Sequence, residues 1–212
     1  MHFTLFVDGY FCNPYDATCF IALEEKHQAF STSRAMLRDN QGFPPAMYEH
    51  TPLARVPALA HGDFWLTESI AIVDYLDDVL PAPEHPRLLP EDPRERARAR
   101  QIMAWVRIDL RTLRAERPFY LSMYPPTTPL DPLSPVAERE ATELLDVIER
   151  LDAAGSLATW NISHADLALT LMRMTHTGPP LRRTAQRVLD DNLARPSVKS
   201  YVTHPRPPHP PP

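Results

Sequence analysis

The chain has little cysteine: Cys12 and Cys19 are the only two in 212 residues. Two cysteines cannot build a disulfide framework, and their spacing is neither that of a CxxC redox pair nor that of a zinc half-site. Positive charge is not in excess either. Lys and Arg total 22 against 27 Asp and Glu, a formal charge of -5, which argues against a broad electrostatic grip on nucleic acid. No apolar run approaches the roughly 18 residues of a membrane span, and no basic stretch precedes an apolar one at the N-terminus. From these absences we expect a reducing, cytoplasmic setting, with neither nucleic acid nor membrane as a partner. Glycine is scarce at five residues, whereas proline reaches 25.

What is present suits a globular chain: 43% hydrophobic and 23% charged residues, in a length that allows one large domain or two small ones. The alternating Arg94, Arg96, Arg98 and Arg100 spread around a helix and read as a solvated face. Proline concentrates in Pro125–Pro135 and in His204–Pro212. The second run cannot form a core and is expected to be an extended or disordered tail, docking on a proline-reading partner being the alternative.

Along the chain, His2–Val7 reads as a short buried strand. Asn13-Pro14-Tyr15-Asp16 then announces a helix, with Asn as N-cap, Pro at the first position and an acid favouring the dipole. Phe30–Arg34 is a second strand, and a Pro/Gly-rich loop through Gly42-Phe43-Pro44-Pro45 follows. The apolar runs Val56–Ala60 and Phe64–Thr67 flank the turn His61-Gly62-Asp63 as a β-hairpin. Glu68-Ser69 opens the next helix. Pro81–Pro90 reads as a linker, after which helical periodicity covers Arg94–Arg117, Val136–Leu151, Trp160–Met174, Thr184–Ala194 and Ser197–Val202. Ser163 is the expected N-cap of the third of these, with Asp166 completing a capping box and Ile162 stapling onto Leu167. The order is βαβ-ββα followed by helices, without internal repeat.

Three segments carry a resemblance: Phe11-Cys12-Asn13-Pro14-Tyr15, Thr51-Pro52-Leu53-Ala54-Arg55-Val56-Pro57-Ala58-Leu59, and Leu66-Thr67-Glu68-Ser69-Ile70-Ala71-Ile72. In order and spacing they resemble the cytosolic glutathione transferase family, and Ser163–Asp166 and Arg195–Val198 extend the likeness over nearly all of the chain. The resemblance implies an α/β plus all-α architecture. A thioredoxin-like, glutathione-binding domain would span 1–80, a linker 81–90, an all-helical domain 91–203 and the Pro-rich tail 204–212. It implies glutathione as co-substrate, a small electrophile as second substrate, a detoxifying role, a homodimer and no metal.

By the same resemblance Pro57 follows a cis peptide bond, which is affordable only before proline. That turn offers the Val56 backbone to the peptide part of glutathione, like one more strand. Unpaired N–H groups at the Glu68-Ser69 helix start, with the Ser69 hydroxyl, suit the γ-glutamyl carboxylate, and Glu68 suits its ammonium. Arg55 is a candidate for the glycyl carboxylate or an ordinary surface charge.

The sulfur position departs from the family. Its Ser-Pro form aligns with Asn13-Pro14, so an amide stands where a hydroxyl is expected. Bringing a thiol from about 8.5 to about 6.5 takes roughly 2.7 kcal/mol. A hydrogen bond to a charged group supplies about 1.5–3 kcal/mol and a helix N-terminus about 0.3–1, so an Asn13 amide suffices in principle; its plain role is N-cap. Cys12 is the rival, since a cysteine near a helix N-terminus can form a mixed disulfide; its plain role is packing, as for Cys19. Tyr10, Trp105, Arg111, Tyr120 and Tyr124 are candidates either for a second-substrate pocket or for core. The leading expectation is conjugation of the glutathione thiolate to an electrophile. The alternatives are a glutathione-dependent thiol or peroxide reductase using Cys12, and a non-catalytic scaffold of the same fold.

Overall fold

In the computed structural model, which describes residues 2–35, 43–175 and 179–208, the apolar run at the N-terminus forms Phe3–Asp8 (β1), an inner strand of a four-stranded sheet. β1 pairs in parallel with Phe30–Ala35 (β2) and antiparallel with Ala58–His61 (β3). β3 in turn pairs antiparallel with Phe64–Thr67 (β4), giving the order β2-β1-β3-β4. A parallel pair needs a crossover, and Pro14–Glu25 (α1) supplies it. The β3–β4 loop is Gly62-Asp63, with Gly62 in the left-handed region at φ 65°, where glycine escapes the Cβ clash. Ser69–Val79 (α3) follows β4 and packs on α1. Leu5, Val7, Ile21, Leu23, Ile72 and Leu76 are fully buried in this core.

This first unit comprises Met1–Leu88 together with Lys199–Pro212. It also contains Pro45–His50 (α2), inside the segment that composition reads as a loop. Proline masks that helix in the sequence, yet Pro45 stands in the first turn, where its missing N–H is harmless. Gly42 of that segment lies outside the described residues. Lys26 at the end of α1 is fully buried and donates to Asp77 of α3 at 2.6 Å and to the Leu80 carbonyl at 2.8 Å.

The second unit, Leu89–Val198, has no strand among its described residues. It contains Pro93–Ile108 (α4), Arg111–Glu116 (α5), Tyr120–Met123 (α6), Pro135–Ala153 (α7), Ile162–Leu171 (α8) with a short 3-10 turn at Met172–Met174, Arg183–Ala194 (α9) and the start of Pro196–Val202 (α10). All residues of α8 are buried, and it packs against α4 and α9. Arg107 of α4 reaches Asp166 of α8 at 2.5 Å, with both side chains largely buried. No helix of the described residues is long and apolar enough to cross a membrane.

Two expectations are corrected, and part of a third segment proves to be bonded. The helix read across Arg94–Arg117 breaks after Ile108, because buried Leu110 takes a left-handed conformation at φ 53°. Arg111 Nε then donates to the freed Ile108 carbonyl at 3.2 Å. The N-cap of α8 is Asn161, not Ser163: Asn161 Oδ1 accepts the Ser163 N–H at 3.0 Å and its hydroxyl at 2.6 Å. Asp166 thus falls beyond the first turn and pairs with Arg107 instead of capping. Finally, residues 204–208, part of the segment expected to be extended or disordered, form no helix or strand but are held by hydrogen bonds. Arg206 donates to the carbonyls of Tyr201, Val202, His204 and, from the N-terminal part of the chain, Phe11. One guanidinium supplies the donors that a proline-rich segment lacks. Residues 209–212 lie outside the described ones.

His164 of α8 is 6% exposed, and its Nε2 lies 3.2 Å from both the Ser156 carbonyl and Asn161 Nδ2. Burial pushes its pKa down to about 4, against the Ser156 carbonyl and aided by the charge of Arg195. The unfolded chain, with an ordinary histidine near 6.5, takes the proton first. Stability is therefore intact above about pH 6.5 and falls as pH drops toward 4, by up to about 3 kcal/mol. His164→Gln should remove that component, seen as a smaller difference in urea unfolding between pH 7.5 and 4.5.

Candidate functional site

Three segments meet at one end of the sheet because of its register. Phe6 opposes Ala58 and Ala58 opposes Thr67. The exit of β1 at Asp8, the entry to β3 after Pro57 and the exit of β4 into Glu68-Ser69 therefore share one edge.

At the first of these, the chain turns from β1 into α1. The Gly9 N–H donates to the Ala35 carbonyl at 2.9 Å, and Phe11 adopts φ 50°. Asn13 is the N-cap: its Oδ1 accepts the Tyr15 N–H at 3.0 Å, and Pro14 occupies the first helical position. Asp16, expected as an acid serving the helix dipole, instead turns inward and is fully buried. Its Oδ2 accepts the Asp8 N–H at 2.5 Å and its Oδ1 accepts Asn13 Nδ2 at 3.0 Å. Burial raises its pKa well above the carboxylate range, against the Asp8 N–H bond and with the Asp8 charge adding to the rise.

Cys12 is 6% exposed. Its thiol donates to Asp8 Oδ2 at 3.0 Å, and its backbone N–H points to the same oxygen at 3.4 Å. Reactive cysteines sit in electropositive, partly exposed surroundings; Cys12 faces a carboxylate from inside the fold. Cys19 is buried on α1, with Sγ 4.0 Å from the Ser69 carbonyl. The Asn13 amide has two N–H bonds, one of them directed at Asp16.

At the second and third segments, the Val56–Pro57 peptide is cis, as the resemblance implies. Val56 lies outside the β1–β3 ladder, which begins at Ala58, and its side chain packs on Phe6, Met47, Ala58 and Ala60. Glu68 takes φ 71° just before α3, and its side chain makes no cap bond. A non-glycine residue in such a region costs about 1–3 kcal/mol and points to function where the surroundings enforce it. Glu68 Oε1 meets Arg55 Nη1 at 2.9 Å, with both side chains more than half exposed. Ser69, 5% exposed, is the first residue of α3.

The structure thus brings Arg55, Val56, Pro57, Glu68 and Ser69 together and sets Cys12 and Asn13 at the same end of the sheet. Sequence reading missed the Asp8–Asp16 pair and two distant supports. Tyr201 donates its hydroxyl to the Asn13 carbonyl at 3.1 Å, and Arg206 Nε donates to the Phe11 carbonyl at 3.1 Å. A buried position at helical spacing from Val198 marks Tyr201 in the sequence; nothing local marks Arg206. Asp16→Ala leaves the Asp8 N–H and the Asn13 amide without their acceptor. At about 1–3 kcal/mol for each unsatisfied donor, the expected loss is about 2–6 kcal/mol, to be measured by urea unfolding at pH 7.

Residues 14–79 match the family model described as glutathione S-transferase, N-terminal domain, and residues 92–203 match that described as glutathione S-transferase, C-terminal domain. Human glutathione S-transferase theta-1 is 33% identical over 132 residues, 60% of this chain and 54% of that protein. Mouse glutathione S-transferase theta-3 is 36% identical over 89 residues, 42% of this chain and 36% of that protein. The chain spans about half or less of the length of these relatives. A solved glutathione transferase homologue from Burkholderia, with bound glutathione, superposes with a TM-score of 0.76 at 32% identity, covering 95% of this chain and 97% of the other.

Proposed function

The chain belongs to the glutathione S-transferase family, and from that premise we propose that it joins the sulfur of glutathione to a small electrophile. The observation that carries this reading is the convergence at one sheet end of Val56 beyond the ladder, the Arg55–Glu68 pair and Ser69 at the start of α3. Glutathione is a short peptide with two carboxylates and one ammonium, and each has a fitting group here. The Val56 backbone offers a strand-like donor and acceptor. The N-terminus of α3 and the Ser69 hydroxyl suit the γ-glutamyl carboxylate, Glu68 suits the ammonium, and Arg55 suits the glycyl carboxylate.

For the sulfur, the second Asn13 amide hydrogen and the first N–H groups of α1 stabilise negative charge as the thiol proton leaves to solvent. The new bond forms from sulfur to the electrophilic atom, whose leaving group departs. The buried, carboxylate-facing thiol of Cys12 favours Asn13 over Cys12 as the sulfur-side group. Supported by family membership, the reading extends to a homodimer with a detoxifying role in the cytoplasm.

Glu68→Ala should weaken glutathione binding by roughly 1.5–3 kcal/mol in calorimetry. The exposed Arg55–Glu68 pair contributes less than about 1 kcal/mol to stability, so the melting temperature should barely move. Unchanged affinity would remove Glu68 from the site.

At the sulfur, Asn13→Ser keeps a capping oxygen and a donor and should retain thiolate absorbance and turnover, whereas Asn13→Ala should lose both. Cys12→Ala should change neither. Loss of a glutathione mixed disulfide and of thiol transfer in Cys12→Ala would favour the reductase, and indifference at both positions the scaffold.

A further inference from the structure

The end of the chain is tied to the turn on which the proposed sulfur site stands. Tyr201 is fully buried, and its hydroxyl donates to the Asn13 carbonyl at 3.1 Å. Arg206 gathers the carbonyls of Val202 (2.7 Å), Tyr201 (2.8 Å) and His204 (2.9 Å), and through Nε that of Phe11 (3.1 Å). The His204 ring stacks on Phe11 with centroids 4.2 Å apart, and the Arg34 guanidinium lies 5.0 Å from the centroid of the Phe11 ring. Phe11 and Asn13, the two neighbours of Cys12, are thus each held through a backbone carbonyl by a side chain about 190 residues away.

The turn needs such support. β1 ends at Asp8 and α1 starts at Pro14, so residues between them lie outside both ladders. Phe11 is left-handed without being glycine, a conformation that persists only where the surroundings over-determine it. A hydrogen bond to the Asn13 carbonyl also fixes the residue whose amide the proposed chemistry uses.

We infer that residues 201–206 are a positioning strap for the sulfur site, in which Tyr201 and Arg206 hold the Phe11–Asn13 backbone and thereby aim the Asn13 amide and the start of α1. This rests on the reading above that Asn13 serves the sulfur. Tyr201 and Arg206 are positioning residues; neither is assigned a contact with substrate.

The test uses the full chain carrying Arg206→Gln or Tyr201→Phe, the latter removing only the hydroxyl. Four quantities are measured: melting temperature, glutathione affinity by calorimetry, the pH profile of turnover with an activated aryl halide, and the labelling rate of Cys12 by a thiol reagent, mapped by mass. A misplacement of about 1 Å can lower a rate by about a hundredfold. We expect kcat to fall about tenfold or more with the KM for glutathione within about twofold, the profile to move to higher pH, and Cys12 labelling to accelerate about tenfold. Should Arg206→Gln unfold, Tyr201→Phe decides by the same measures. Wild-type kcat and pH profile in both variants overturn the inference, whether or not Cys12 becomes exposed. If the unaltered protein neither binds glutathione nor turns over, the parent reading has failed. Cys12 labelling then decides alone whether the tail holds the turn: faster labelling in the variants supports the strap, and unchanged labelling overturns it.

Discussion

A carboxyl group with no access to solvent joins the end of β1 to the beginning of α1, and the geometry of the sheet end follows from it. Asp16 receives the Asp8 N–H on one oxygen and the Asn13 amide on the other. The first bond ends the strand and the second orients the cap of the helix, so one residue sets the distance and angle between them. Because buried polar groups must be paired, this arrangement admits few substitutes. An apolar side chain at position 16 would strand the Asp8 N–H, and a longer acid would push the helix start away from the strand.

The other side of the sheet end is organised by backbone. A two-residue hairpin loop fixes the β3–β4 register, which places the entry to β3 beside the exit of β4. Pro57 then turns Val56 out of the ladder, while the left-handed Glu68 turns its side chain away from the helix it precedes and toward Arg55. Had Glu68 been an ordinary cap, its carboxylate would be spent on the α3 N–H groups. The Glu68 side chain makes no cap bond to α3, and its carboxylate meets the Arg55 guanidinium instead.

Much of this was legible. The strands, the crossover helix, the hairpin and the Val56-Pro57 and Glu68-Ser69 segments are announced by local signals: apolar runs, turn residues, proline before a helix. What stayed hidden depends on distance or on single dihedral angles. Leu110 carries no mark of a helix break, since neither glycine nor proline stands there; only its burial in a left-handed conformation ends α4. Asn161 and Ser163 are both good caps, and periodicity cannot choose between starts two residues apart. Arg206 sits in a proline-rich segment whose composition suggests no structure, yet one guanidinium satisfies four carbonyls. Asp16 looked like an ordinary first-turn acid, because helical position alone does not say which acids face the core.

The inward placement of Asp16 also resolves an electrostatic conflict. A carboxylate beneath the first turn of α1 would oppose any negative charge gathered there, cancelling what the helix N-terminus supplies. Burial eases the conflict by working against the charged form: the pKa of Asp16 is raised well above that of a free carboxyl, first by desolvation. The carboxyl accepts from the Asp8 N–H on one oxygen and from the Asn13 amide on the other, so both oxygens are bonded inside the fold. A surface acid at the same position would give the dipole interaction that sequence reading assigned to it, but it would compete with an anionic sulfur for the same N–H groups. Holding the acid inside, with both oxygens bonded, keeps its carboxyl away from the outward face of the helix start. That division fits a thiolate-stabilising role for α1 better than a redox role for Cys12, whose thiol meets the one carboxylate of the pair that lies against it.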